Sequence, residues 1–323
     1  MYDPLNIISN CQFVMNHSIH VTIQKDQIPN AIKILEQEGI RNSVIDLSYR
    51  YKGDEEKILS YLFVLDCLNF CFWALKGQKR WEFEYKGKKY NGYFALAYCL
   101  RKVFEEGIPL WDPQFLSSLS PADFFSLFQA DGSLTIMHKR YECLRELGQV
   151  VLETFGGNFS NIIKKSNNSA IELVKNVTKY FESFNDVAYY KKRGIPFYKR
   201  AQLLAWDIHL SFEGKNYGQF FDLDQLTAFA DYKLPQVLRE LGIINYSKEL
   251  SDIVDKEILI PSGSPMEIEI RAATIMSVEY LKEEFSKIGI KLRSVDIDAM
   301  LWSLGQKDKY RTKPYHKTIT IFY

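Results

Sequence analysis

Residues 226–242 read LTAFADYKLPQVLRELG. Leu226, Phe229 and Ala230 share one helical face, and Pro235 then disfavours helical geometry at Leu234 and suits the first turn of a second helix that stops at Gly242. Asp231 stands between the two. A carboxylate in so apolar a setting needs a partner, a backbone to cap or a catalytic role. Asp is a preferred N-cap, and the residues alone leave the cap and the catalytic role equally open. Further side chains able to do chemistry lie in FYKRAQLLAWDI (Lys199, Arg200), DAMLWSLGQ (Asp298, Ser303) and PYHKTITIFY (His316, Lys317).

Several chemistries are absent by pattern. The chain has no GxGxxG, GxxxxGK[ST] or GxSxG, so no nucleotide-fold, P-loop or hydrolase-elbow reading has support, and no cofactor is expected. Its five histidines form no HExxH and no Cys/His cluster; His17 and His20 lie three apart but lack a third ligand, so no metal is expected.

The elements that must position these residues are mostly helical. The chain has 323 residues, 46% hydrophobic and 15% aromatic, enough for a sizeable core in one domain spanning 1–323. A net charge of +1 gives no broad positive field, which argues against stable binding to nucleic acid. Five cysteines, an odd count with no CxxC, read as free, mostly buried thiols of a reducing, cytoplasmic setting. The start, MYDPLNIISNCQF, has no signal-peptide pattern. The apolar run LSYLFVLDCLNFCFWAL (59–75) contains Asp66 and Asn69 and is short for a span, so it reads as buried core and not as membrane.

Helical patterns cover 28–39, 93–106, 138–154, the stretch NSAIELVKNVTKYFESF, and 197–212; a helix opens with the Ser120–Pro121 cap. The longest pattern starts at Ser264–Pro265, with Glu267 four residues before Arg271 as an ion pair. SVDIDAMLWSLG is a shorter helix. RWEFEYKGKKYNGY (80–93) reads as a β-hairpin, HKTITIFY as a strand, and KKRG (191–194) as a solvated turn. The fold class is therefore mainly α with a small β-hairpin or sheet element.

Taken in order, VLDCLNFCFW, FYKRAQLLAWDI, LTAFADYKLPQVLRELG, EIEIRAATIMSVE, DAMLWSLGQ and PYHKTITIFY resemble the queuosine salvage protein family over nearly the whole chain. The resemblance implies a helical core like that of helix-hairpin-helix DNA glycosylases. It also implies an N-glycosyl hydrolase, a monomer, acting on the small molecule queuosine 5′-monophosphate and releasing the base queuine for tRNA wobble modification. It gives Asp231 the catalytic role: a carboxylate beside C1′ stabilises the oxocarbenium-like state and activates water. Queuine is a 7-deazaguanine, lacks N7, and cannot be activated by protonation there. The resemblance places Phe229 on the face of the base, where a core position is the alternative, and Asp298 on its N–H donors. It implies a second acid where this chain has Ser303, leaving a neutral hydrogen-bonding substitute, and a His-Pro pair where Ser48–Tyr49 stands. Lys199 and then His316 are the expected phosphate ligands, with Arg200 and Arg271 paired to Glu267 or Glu269 and Asn69 held in a structural network. A non-catalytic helical nucleic-acid-binding module is the competing reading.

Overall fold

The computed structural model describes residues 3–39 and 46–323. Along the chain run α1 (Ile7–His17), β1 (Val21–Ile23), α2 (Ile28–Gln37), α3 (Glu55–Cys67), β2 (Glu82–Tyr85), β3 (Lys88–Asn91), α4 (Gly92–Glu105), α5 (Pro113–Ser118), α6 (Pro121–Leu127) and α7 (Met137–Phe155). Then come α8 (Ser160–Lys165), α9 (Ala170–Tyr180), β4 (Val187–Tyr190), β5 (Arg193–Pro196), α10 (Lys199–Ser211), α11 (Lys233–Glu240), β6 (Ile244–Tyr246), α12 (Lys248–Asp255), α13 (Pro265–Lys287) and α14 (Ser294–Leu304). The described residues are thus mainly helical, with three antiparallel strand pairs, β1–β6, β2–β3 and β4–β5. No helix among them is long and apolar enough to cross a membrane.

The strongest local signals are realised. Ser264 caps α13 by accepting the Glu267 N–H, and Pro265 occupies its first turn. Ser120 caps α6 in the same way. The hairpin expected over 80–93 is β2–β3, turning at Lys86–Gly87. KKRG also turns a hairpin, β4–β5, with Lys191 and Lys192 both at positive φ. The cysteines are all free and buried.

Three expectations fail. HKTITIFY forms no strand; a single bridge joins Lys317 to Leu259, because no neighbouring strand runs beside the rest. Leu234 is helical despite preceding Pro235, since α11 begins at Lys233 and the proline falls within its first turn, where no N–H is required. Residues 226–231 are not a helix either. Their backbone groups are satisfied by side chains instead. Gln202 Oε1 accepts the Thr227 N–H at 2.9 Å, Asp298 Oδ2 accepts the Phe229 N–H at 2.7 Å, and Arg271 Nε donates to the Ala230 carbonyl at 3.2 Å. A buried backbone needs such partners, and here they come from α10, α14 and α13.

This non-helical segment lies between two apolar clusters. One gathers α3, α4, α7, α9 and α10 and includes Leu226, Phe229 and Tyr232; the other gathers α2, α11, α13 and α14 and includes Ala228 and Leu234. The helix α13, buried along most of its length, touches α1, α2, α11 and α14. Its Arg271 is fully buried and grips Asp186, Nη1 to Oδ1 at 2.9 Å with Nη2 on the other oxygen. Glu267, the partner expected from helical spacing, is farther away at 3.7 Å, because the fold brings a better-placed carboxylate. Arg200 pairs with neither glutamate: it is buried and donates to the carbonyls of Asp66 (3.0 Å), Cys67 and Ser183.

Removing one member of a buried ion pair strands the other charge, at a cost of about 3–5 kcal/mol. Arg271→Met should therefore lower the unfolding free energy by that much, read as a lower urea midpoint with little change in slope, and adding Asp186→Asn to it should recover part of the loss.

Candidate active site

Residues from most of the chain converge on a cavity of about 470 Å³. It opens where α10, the segment 226–234, α14 and the first turn of α4 approach one another. Five of the expected site residues line it: Lys199, Phe229, Asp231, Asp298 and Ser303. His316 does not.

Asp231 fills the capping role its sequence position raised and leaves one oxygen uncommitted. Its Oδ1 accepts the N–H groups of Lys233 (2.7 Å) and Leu234 (3.0 Å), so it caps α11. Oδ2 takes no hydrogen bond among the described residues, and the side chain faces the cavity. One oxygen is tied to the backbone and the other is free for a ligand. Phe229, two residues earlier, presents its ring to the same space while Asp298 holds its N–H.

Asp298 lies in the middle of α14 and not at its start, so the helix dipole does not explain it. It is buried, and burial pushes its carboxyl well above the usual range, with the nearby Asp231 adding to the rise and the Phe229 N–H opposing it. Trp302 and Ser303 continue the same wall.

Lys199 is the first residue of α10. Asp186 fixes this helix start: its carbonyl accepts the N–H of Phe197 at 2.9 Å, and its Oδ2 accepts that of Lys199 at 3.2 Å. The Lys199 side chain is buried. Burial lowers its pKa, the carboxylates of Asp231, Asp66 and Asp298 oppose the fall, and Arg200 adds to it. Its ammonium makes no ion pair or hydrogen bond among the described residues. Beneath it Asp66 is buried and pushed well up by desolvation and by Asp207, while its Oδ1 accepts from Asn69 at 3.2 Å. Asn69 thus has the network expected of it and also reaches the cavity. Asp207 in turn pairs with Arg50 at 2.6 Å. Tyr49 also lines the cavity, its hydroxyl 3.5 Å from that of Tyr93.

His316 is placed elsewhere, which corrects its expected role. It is buried, with Nε2 3.2 Å from the Tyr323 hydroxyl, which itself donates to Glu267 at 2.9 Å. Burial and the Arg271 charge push its pKa down to about 3, so it is neutral near pH 7 and carries no charge for a phosphate. Besides Lys199, and Arg50 in its pair with Asp207, the cations that reach the cavity are Arg80, Lys233 and Arg311. Arg80 lies against Gly92, the first residue of α4, and Arg311 pairs with Asp308. Lys233 rests 4.8 Å from the Tyr315 ring centre. Neither Arg80 nor Lys233 makes an ion pair or side-chain hydrogen bond among the described residues. Burial lowers Lys233 to about 8, with Asp231 opposing and both arginines adding to the fall. Sequence reasoning missed these three, although Lys233 sits two residues from Asp231; Arg80 and Arg311 carry no local signal, since only the fold brings them together. Among the described residues no group of three or more His, Cys, Asp or Glu could hold a metal ion.

The arrangement can hold a flat ring between aromatic walls, meet its N–H donors with buried carboxyl groups, and offer a free carboxylate oxygen and separate cations to what is attached to that ring. Comparison with known proteins gives the same direction. The family model described as queuosine salvage protein matches residues 49–323. The chain is 40% identical to a queuosine 5′-phosphate N-glycosylase/hydrolase of Sphaerobacter thermophilus over 321 residues, 99% of this chain and 98% of that one. It is 38% identical to the Dictyostelium discoideum protein of the same name, covering 86% and 82%, and 32% identical to that of Mus musculus, covering 100% of both. With a match spanning this much of its length, the chain belongs to the queuosine salvage protein family.

Proposed function

We propose that this protein hydrolyses the N-glycosidic bond of queuosine 5′-monophosphate and releases free queuine for reuse in tRNA wobble modification. The observation that carries the proposal is Asp231: one oxygen capping α11, the other free in a cavity walled by Phe229 and Asp298. Bond breaking builds positive charge on C1′ of the ribose. A fixed carboxylate there is worth more than in water, since its orientation is already set by the cap. The 7-deaza base gives no N7 to protonate, so stabilisation on the sugar side carries more of the barrier. Phe229 stacks on the base. Asp298 and Ser303 face its polar edge, with Ser303 neutral where an acid was expected.

The 5′-phosphate goes to Arg80, Lys233 and Arg311. Arg80 and Lys233 have no ion pair or side-chain hydrogen bond among the described residues, and charge-assisted contacts to phosphate are the strong kind. The expected phosphate role of Lys199 fits less well, because three carboxylates act on that site and oppose a dianion. A cavity of about 470 Å³ suits one nucleotide and not a polymer, and with the net charge of +1 it supports a protein with no stable nucleic-acid partner. Its lining runs from Asp46 to Tyr323, which supports one functional domain over 1–323. We read the helical core as akin to helix-hairpin-helix glycosylases, and the protein as a cytoplasmic monomer, on the resemblance and the buried free thiols.

Incubation with queuosine 5′-monophosphate followed by chromatography should show free queuine and ribose 5-phosphate; intact substrate after long incubation with folded protein refutes the proposal. Asp231→Asn keeps an oxygen for the α11 cap but loses the charge, so queuine release should fall by about 2.7–4 kcal/mol, on the order of a hundredfold to a thousandfold, with an unchanged melting temperature. Asp231→Ala should be as slow and also about 1 kcal/mol less stable. A fully active Asn variant reduces Asp231 to its capping role. For the phosphate, Lys233 is charged below about 8 and neutral above. KM for the nucleotide should accordingly rise between pH 7 and 9, and Lys233→Gln should remove that rise while raising KM about tenfold to a hundredfold at pH 7.

A further inference from the structure

We propose that Lys199 is the proton donor to the departing base, acting at the ring nitrogen next to the glycosidic bond. The inference rests on the substrate reading above and adds a catalytic residue to it. Three observations carry it. The Lys199 side chain lines the cavity, and its ammonium has no ion pair or hydrogen bond among the described residues, so its protons are free for a ligand. The carboxylates that act on it most are Asp231, assigned to the sugar, Asp66 beneath, and Asp298, assigned to the base. Lys199, Asp231 and Asp298 all line the one cavity, so the donor shares its space with both the sugar-side and the base-side acid. Finally, its backbone is anchored by Asp186, whose carboxylate also holds Arg271 and, through it, the carbonyl before Asp231. One clamp sets donor and carboxylate together.

The chemistry needs such a donor. A purine nucleotide can be activated by protonating N7, and a 7-deazapurine cannot. When C1′–N9 breaks, the bond pair passes into the base, and the negative charge spreads to N3, whose lone pair lies in the ring plane beside the sugar. Transfer of one proton from Lys199 Nζ to N3 lets the base leave neutral, and Lys199 becomes a neutral amine. Water adds to C1′ and gives its proton to Asp231, which returns it to Lys199. One water is consumed, one N–C bond is exchanged for a C–O bond, and both residues regain their starting states. No other reactant is required. Burial assists by lowering the Lys199 pKa, which favours proton release at neutral pH. The titratable groups that face it are Asp66, Asp207, Asp231 and Asp298, which oppose the fall in its pKa, against burial and Arg200, which lower it.

Wild-type cleavage of queuosine 5′-monophosphate is measured first; its failure removes the substrate reading itself. With cleavage established, Lys199→Ala should lower kcat by about 100-fold or more and leave KM within about threefold. Alkylammonium salts should rescue this variant, with the restored rate following the acidity of the amine. The fall of wild-type kcat at alkaline pH, as Lys199 loses its proton, should be absent in the variant. Lys199→Arg, which keeps the charge but not the acidity, should remain slow. Should Lys199→Ala melt early, Lys199→Met supplies the same kcat and pH comparison with the volume kept. An active Lys199→Arg overturns the proposal in favour of a fixed charge. A raised KM at unchanged kcat overturns it in favour of a binding cation. An alkaline limb that persists in the variants, without amine rescue, places the acid on another residue.

Discussion

The buried contact between Arg271 and Asp186 is the constraint on which the site depends. Asp186 accepts from the guanidinium and from the first turn of α10, while Arg271 reaches on to the Ala230 carbonyl. A helix start, a hairpin entry and a non-helical segment are thereby fixed to the middle of α13. The pair is shielded by the rings of Phe197 and Tyr323, 4.0 and 4.6 Å from the guanidinium. Taking two charges out of water is costly, and an apolar pair of similar size would often stabilise as well. What an apolar pair lacks is direction. Here the fork of donors and acceptors holds the first turn of α10 and the carbonyl just before Asp231.

Charge within the cavity is divided in a way that composition conceals. A net charge of +1 conceals a lining in which Asp207 and Asp298 stand with Arg50 and Lys199, while Arg80, Lys233 and Arg311 supply further cations beside Asp231. Low-dielectric surroundings strengthen both signs. A ligand with both hydrogen-bond donors and anionic oxygens meets complementary groups for each.

Much of this was legible in the sequence because the signals were local. Ser264–Pro265 marks the start of α13 through capping chemistry confined to one turn, and the alternation around KGKK marks a hairpin. Residues 226–231 misled for the same reason: apolar spacing suits a helix, and nothing nearby forbids one. The deciding partners, Gln202, Asp298 and Arg271, lie 25 to 69 positions away. His316 was attractive beside Lys317 and a terminal aromatic, yet its burial against Tyr323 is a property of the assembled core. Five of the six expected site residues share one cavity, whereas Arg80 and Arg311 stand in stretches whose only distinction is where they end up.

The reliance of residues 226–231 on distant side chains bears on how the protein is made. Thr227 has its partner already synthesised in Gln202, whereas Ala230 and Phe229 must wait for residues 271 and 298. During translation, therefore, the loop carrying Asp231 gains its last tether only when all but the final two dozen or so residues of the 323-residue chain have been joined. Contacts of such long sequence separation form late because loop closure precedes their reward. A truncated product of synthesis that ends before Asp298 lacks both the partner of the Phe229 N–H and the α14 wall of the cavity.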